Sequence, residues 1–145
     1  MDIFRNSFLL LVLFCILFIV KSSCIIEPPE PQKSLVKKIA KSWKISTLTV
    51  DNNPIFEIDG FTLKLNQNDD QPTTYMITTG GLEFSFAPSI SGNWSLDNNK
   101  KPSQANFDEN TVDFTVFGDK LTIIYNKPAT DNKPESVLHF VLVPK

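Results

Sequence analysis

From Trp43 onward, apolar residues recur at every second position in short runs, and that period admits little other than β-sheet. Residues 43–50, WKISTLTV, open the pattern. In 60–66, GFTLKLN, Phe61, Leu63 and Leu65 face one way while Thr62 and Lys64 face the other. Further runs fall at 73–79, 91–96, 103–107, 111–117, 120–126 and 136–143. Residues 55–58 read either as a short strand or as a segment that plugs one end. The intervening residues, such as 51–54, 67–72, Gly118-Asp119 and 127–134, are rich in Asp, Asn, Gly and Pro, which turn the chain. About eight short strands joined by such turns predict an all-β fold, an antiparallel barrel or sandwich.

One segment before the first strand departs from this period. Residues 34–42, SLVKKIAKS, set Leu35, Val36 and Ile39 on one side of a helix and Lys37, Lys38 and Lys41 around the other, with Ser34 as N-cap. A helix this short needs a surface to pack on. The last strand offers one, because both its faces are apolar. Val137, Val141 and Val143 lie with His139 on one face, and Leu138, Phe140 and Leu142 on the other. The helix is therefore expected to cover the outer face of that strand.

Upstream of residue 34 the chemistry is that of export. A polar start with Arg5 precedes thirteen apolar residues, 8–20, and then Lys21-Ser22-Ser23-Cys24. Residues 1–23 have the layout of a secretory signal, and the apolar run is short of the ~20 residues that a spanning helix needs. An uncleaved anchor is the alternative. Cleavage by ordinary signal peptidase would leave Cys24 a plain thiol. Residues 24–33 are proline-rich, carry acids and have no hydrophobic period, which suits a tether. The single domain then covers 34–145. The two cysteines are Cys15 and Cys24, so a chain cut before Cys24 has no disulfide partner and stands on its hydrophobic core.

Composition narrows the function classes. Removing Asp2, Arg5 and Lys21 from 14 basic and 16 acidic side chains leaves 12 and 15, a net charge of −3. All the remaining bases are lysine, so the arginine-bearing basic face of a nucleic-acid binder is missing, and no nucleic-acid partner is expected. His139 is the one histidine, and no nucleophile elbow accompanies it, so neither a Ser-His-Asp arrangement nor a zinc site is expected. Asn66, Asn68 and Asp70 have the first spacings of a calcium loop but lack its glycine and closing glutamate. The pairs Asp69-Asp70 and Asp108-Glu109 read as solvated turn acids. No metal, no cofactor and no enzymatic activity are expected. Asn93-Trp94-Ser95 is a glycosylation sequon, relevant only to a eukaryotic secretory route.

Ser22, Ser23 and Cys24 resemble a lipobox, in which the cysteine thiol receives lipid; Lys21 departs from it, standing where an apolar residue is usual. Trp43 after the short helix, Gly92-Asn93-Trp94 leading into a polar turn, and Leu121 with Ile123 in a late hairpin resemble the lipocalin-like domains of Bacteroidetes outer-membrane lipoproteins over about 35–145. That resemblance implies an up-and-down antiparallel barrel of about eight strands, with room inside for side chains or one small ligand. By resemblance to lipoprotein sorting, Ile25 after the cysteine implies the outer membrane, and Glu27 and Glu30 its surface; plain secretion is the alternative.

The expected function is a non-enzymatic, lipid-anchored barrel of the cell envelope. A small apolar ligand would sit in a cavity lined by Phe61, Leu63, Leu65 and Tyr75, with Trp43 and Trp94 lining the pocket or plugging the barrel. The alternative is a structural or protein-interaction lipoprotein with a filled core and an apolar interface at Leu82, Phe84 and Phe86 in the loop 80–90.

Overall fold

The computed structural model describes residues 31–145 except Glu57 and Asn99; the expected export signal, Cys24 and the expected tether up to residue 30 lie outside the described residues. Helix α1 spans Pro31–Ile39. It is displaced three residues toward the N-terminus from the 34–42 expected. Pro31 sets the φ that a first helical residue needs. At the other end, the Ile39 carbonyl accepts from the Trp43 indole Nε1 at 2.8 Å and from the Lys41 N–H at 2.8 Å, which stops the helix there. No helix among the described residues is long and apolar enough to cross a membrane.

Nine strands follow: β1 (Ser42–Val50), β2 (Asn53–Ile55), β3 (Thr62–Asn68), β4 (Gln71–Thr78), β5 (Ser91–Leu96), β6 (Gln104–Phe107), β7 (Asn110–Phe117), β8 (Lys120–Lys127) and β9 (Ser136–Pro144). Each of β3 to β9 pairs antiparallel with its sequence neighbour, and β1 pairs with both β3 and β9, so eight strands close into an up-and-down barrel. β2 is a short flap on the far half of β1. The β1–β2 turn puts Asp51 and Asn52 at φ 51° and 67°, and the β3–β4 turn puts Asp69 and Asp70 at 49° and 63°. Asp and Asn tolerate this left-handed backbone, and it matches the strand twist of a tight hairpin.

Period two decides what lies inside. Leu63, Leu65, Tyr75, Ile77, Leu121, Ile123, Leu138, Phe140 and Leu142 are buried, while their alternates are exposed or half-buried. Apolar side chains point inward and lysines outward, the reverse of a barrel built to sit in lipid.

The barrel has two closed ends. The helix-capped end holds α1, the turns 69–70, 97–103 and 118–119, and Lys145, whose N–H bonds the Ser42 carbonyl at 3.0 Å. The loop-capped end holds the turns 51–52 and 108–109 and the loops 56–61, 79–90 and 128–135. The expectation that the helix covers the outer face of the last strand is corrected here. α1 buries Val36 and Ile39 and packs across β3 and β4 at the barrel mouth. An open mouth exposes the whole barrel interior, so it takes the helix in preference to the β9 wall. That wall, with Val137, His139, Val141 and Val143, stays half-buried to exposed.

Candidate functional site

The residues expected to line a cavity instead fill it. Phe61, Leu63, Leu65 and Tyr75 are all buried and packed into one core. Trp43 is wholly buried beneath α1, with Lys41 Nζ 4.7 Å from its ring centroid. Trp94 is buried, and its Nε1 donates to the Asn66 carbonyl at 2.7 Å. Each tryptophan thus spends its polar edge on a backbone carbonyl and its rings on the core. The interior void between Ile39, Leu65, Trp94 and Phe114 is about 10 Å³ and lined by apolar groups. A void of that size holds at most one water, and an apolar one stays dry.

The loop 79–90 closes the other end. Phe86 is fully buried and meets Phe107 at 4.9 Å and Phe140 at 5.2 Å between ring centroids, both edge-on. Phe61 packs on Phe140 at 5.9 Å and Tyr75 on Phe107 at 5.2 Å, so five aromatic rings form the plug. Leu82 and Phe84 are half-buried against the same core. Of the three expected interface residues, one is therefore the plug itself and two pack on the rim. The large exposed apolar side chains among the described residues are instead Phe56, Met76, Ile90, Phe117 and Val137.

The plug is strapped down by polar groups. Asn110 Nδ2 donates to the Phe86 carbonyl at 3.1 Å, and Ile77 N–H to the Ile90 carbonyl at 2.6 Å. The Tyr75 hydroxyl donates to Asp108 Oδ2 at 2.8 Å and lies 3.2 Å from the Ser89 carbonyl. Burial, then the contact with Asp108, pushes the Tyr75 hydroxyl well above its ordinary pKa. The Asn93 N–H, at 2.9 Å from Oδ1, and then the Tyr75 hydroxyl hold the Asp108 carboxyl below the usual carboxylate range. Gly92 makes room for this clasp, because a Cβ there would overlap the Asp108 carboxylate. Asp108 was legible in sequence only as a turn acid; its strand partners are fifteen and thirty-three residues away.

Outside the core, open grooves flank the loop-capped end. One, of about 400 Å³, lies beside Asp51, Lys127, Glu135 and Ser136. A second, of about 110 Å³, lies beside Glu83, Phe84, Lys127 and Lys133. A third, of about 430 Å³, lies beside Met76, Thr78, Ile90 and Ser91. Asn66 donates to the Thr74 hydroxyl across the β3–β4 hairpin, and Asp70 pairs with Lys37 of α1. His139 is half-buried on the outer wall, opposite Thr49 and Ile124. No group of three or more His, Cys, Asp or Glu side chains converges among the described residues. The chain matches no family model, no curated protein and no solved structure.

Proposed function

We propose that this chain is an exported, lipid-anchored, non-enzymatic barrel of the cell envelope that acts through its outer surface as an interaction module. The observation that carries this is the filled interior. A carrier of small apolar molecules uses a pocket of some 300–1,000 Å³, whereas the void here is about 10 Å³. The room for a partner is outside, in the groove where Asp51, Lys127, Glu135 and Ser136 present charge of both signs beside the plug loop. The resemblance to lipocalin-like domains of Bacteroidetes outer-membrane lipoproteins supports the envelope placement, as does the run Ser22-Ser23-Cys24 ahead of a proline-rich tether.

Native mass spectrometry of protein taken from its own cells tests the choice between carrier and interaction module. The expected mass is that of the processed chain plus the acyl groups on Cys24 and nothing more. A stoichiometric small apolar molecule retained in the barrel would return the carrier reading to first place. Metabolic labelling with a palmitate analogue tests the anchor separately, and label lost on Cys24→Ser is the expected result.

A further inference from the structure

Lysine and carboxylate side chains are sorted along the barrel axis. α1 and the link behind it carry Lys33, Lys37, Lys38 and Lys41. Lys64 stands level with Ser42 on the outer wall, and Lys44 level with Val143. Lys100 and Lys101 lie in the turn 97–103, Lys120 follows the turn 118–119, and Lys145 sits beside Ser42. Against these ten lysines the same end has four acids: Asp69, Asp70, Asp97 and Asp119. The loop-capped end reverses the balance, with Lys127 and Lys133 against seven carboxylates that include Asp51, Glu83, Asp108 and Glu135. Asp113 lies midway. Lysines and carboxylates number twelve each among the described residues, so the field comes from their sorting and not from net charge.

Three further observations bear on what this basic end meets. Among the described residues one ion pair forms, Lys37 Nζ to Asp70 Oδ2 at 3.1 Å, and eight of the ten lysines are exposed. Their charge is therefore open to a partner. Phe117 stands at the same end, 87 % exposed and opposite Lys120 across the turn. The chain also enters the barrel here. Six residues, 25–30, separate Cys24 from α1, and the seven steps between Cys24 and Pro31 reach at most about 25 Å when extended. An anchored chain therefore keeps this end near the bilayer, a point that rests on the lipid-anchor reading above.

We propose that the helix-capped end is a docking face for an anionic bilayer surface. Its ammonium groups meet lipid phosphates, and Phe117 enters the interfacial layer. The test uses the processed chain, residues 24–145 with Cys24→Ser, which contains every strand and the whole described core. Its cooperative thermal unfolding is checked first. It is then sedimented with vesicles of phosphatidylcholine alone and of phosphatidylcholine mixed with phosphatidylglycerol, and titrated with heparin as a soluble polyanion.

Binding to the anionic vesicles only, weakened by salt, is expected. Replacing the exposed turn lysines together, Lys100→Gln, Lys101→Gln and Lys120→Gln, should weaken it roughly a hundredfold, about fivefold for each charge near the surface. Phe117→Ser should weaken it further, and Lys127→Gln with Lys133→Gln should leave it unchanged. Equal binding to neutral vesicles, indifference to the turn lysines, or a preference for heparin with no vesicle binding would overturn the proposal. Because no acyl chain is present, the outcome is independent of whether Cys24 carries lipid. If this chain fails to unfold cooperatively, the lipidated protein is used with Lys100 and Lys101 intact. There, trypsin cleavage after Lys100 should fall when phosphatidylglycerol is present, and Phe117→Ser with Lys120→Gln should restore it; cleavage unchanged by phosphatidylglycerol would overturn the proposal.

Discussion

Asp108 sits at the tip of a two-residue turn with φ 51°, yet it holds together three separate stretches of chain. It takes the Asn93 N–H from β5 and the Tyr75 hydroxyl from β4, and Tyr75 in turn touches the plug loop at Ser89. The carboxyl's folded pKa is depressed, so the stability it confers is present above its unfolded value near 4 and is lost as pH falls through the lower folded value. Thermal unfolding of the wild type should show this acid limb, and Asp108→Asn should flatten it. Gly92→Ala should act through the same contact. The double variant should then be no less stable than the worse single one, whereas additive losses in a double-mutant cycle would disconnect the two positions. The sequence offered Gly92 only as part of a Gly-Asn-Trp pattern, and Asp108 only as a turn acid. Their contact was not readable, because it spans separate strands and follows from register.

At the scale of elements, α1 shows what periodicity can and cannot decide. Leu35, Val36 and Ile39 were readable as one apolar face, and Val36 and Ile39 are the side chains it buries. What that face packs against was not readable. A period names the buried side of an element and says nothing of its neighbour. The strands fared better because pairing partners follow chain order in an up-and-down barrel. The turns at Asp69-Asp70 and Gly118-Asp119 mark the strand ends within a residue or two. Ile39 borders the interior void, so Ile39→Ala should enlarge it from beneath the cap. We expect a loss of about 2–5 kcal/mol in denaturant unfolding. A small apolar probe such as benzene should bind the variant and not the wild type. A loss below about 0.5 kcal/mol, the range of ordinary surface changes, would mean that the helix does not seal the barrel. The plug loop follows the same logic from the other end. Leu82, Phe84 and Phe86 were visible as apolar residues in a loop, but which of them enters the barrel depends on how the loop is strapped at Asn110 and Tyr75.

For the whole molecule, closure is the slow and costly event. β9 must find β1 across nearly the full length of the domain, with Leu138 opposite Val50 and Pro144 opposite Trp43. Non-local pairing of this kind places refolding in the millisecond-to-second range. Stopped-flow tryptophan fluorescence reads it directly, since Trp43 and Trp94 are both buried on folding. Microsecond refolding would mean that local contacts dominate. The fold class was legible from period two alone. The sorting of lysine to one end was not, because it emerges only when α1, the ends of β1 and β3, two turns and Lys145 are brought together by closure. The β1–β9 seam also sets Lys145 beside Ser42, so the two ends of the barrel's chain share the lysine-rich rim. A reporter or affinity handle fused after Lys145 would be wedged at that rim and would shield its charges. The same handle inserted between Asp131 and Asn132, in the exposed loop at the opposite pole, would leave both the strand pairings and the rim unobstructed.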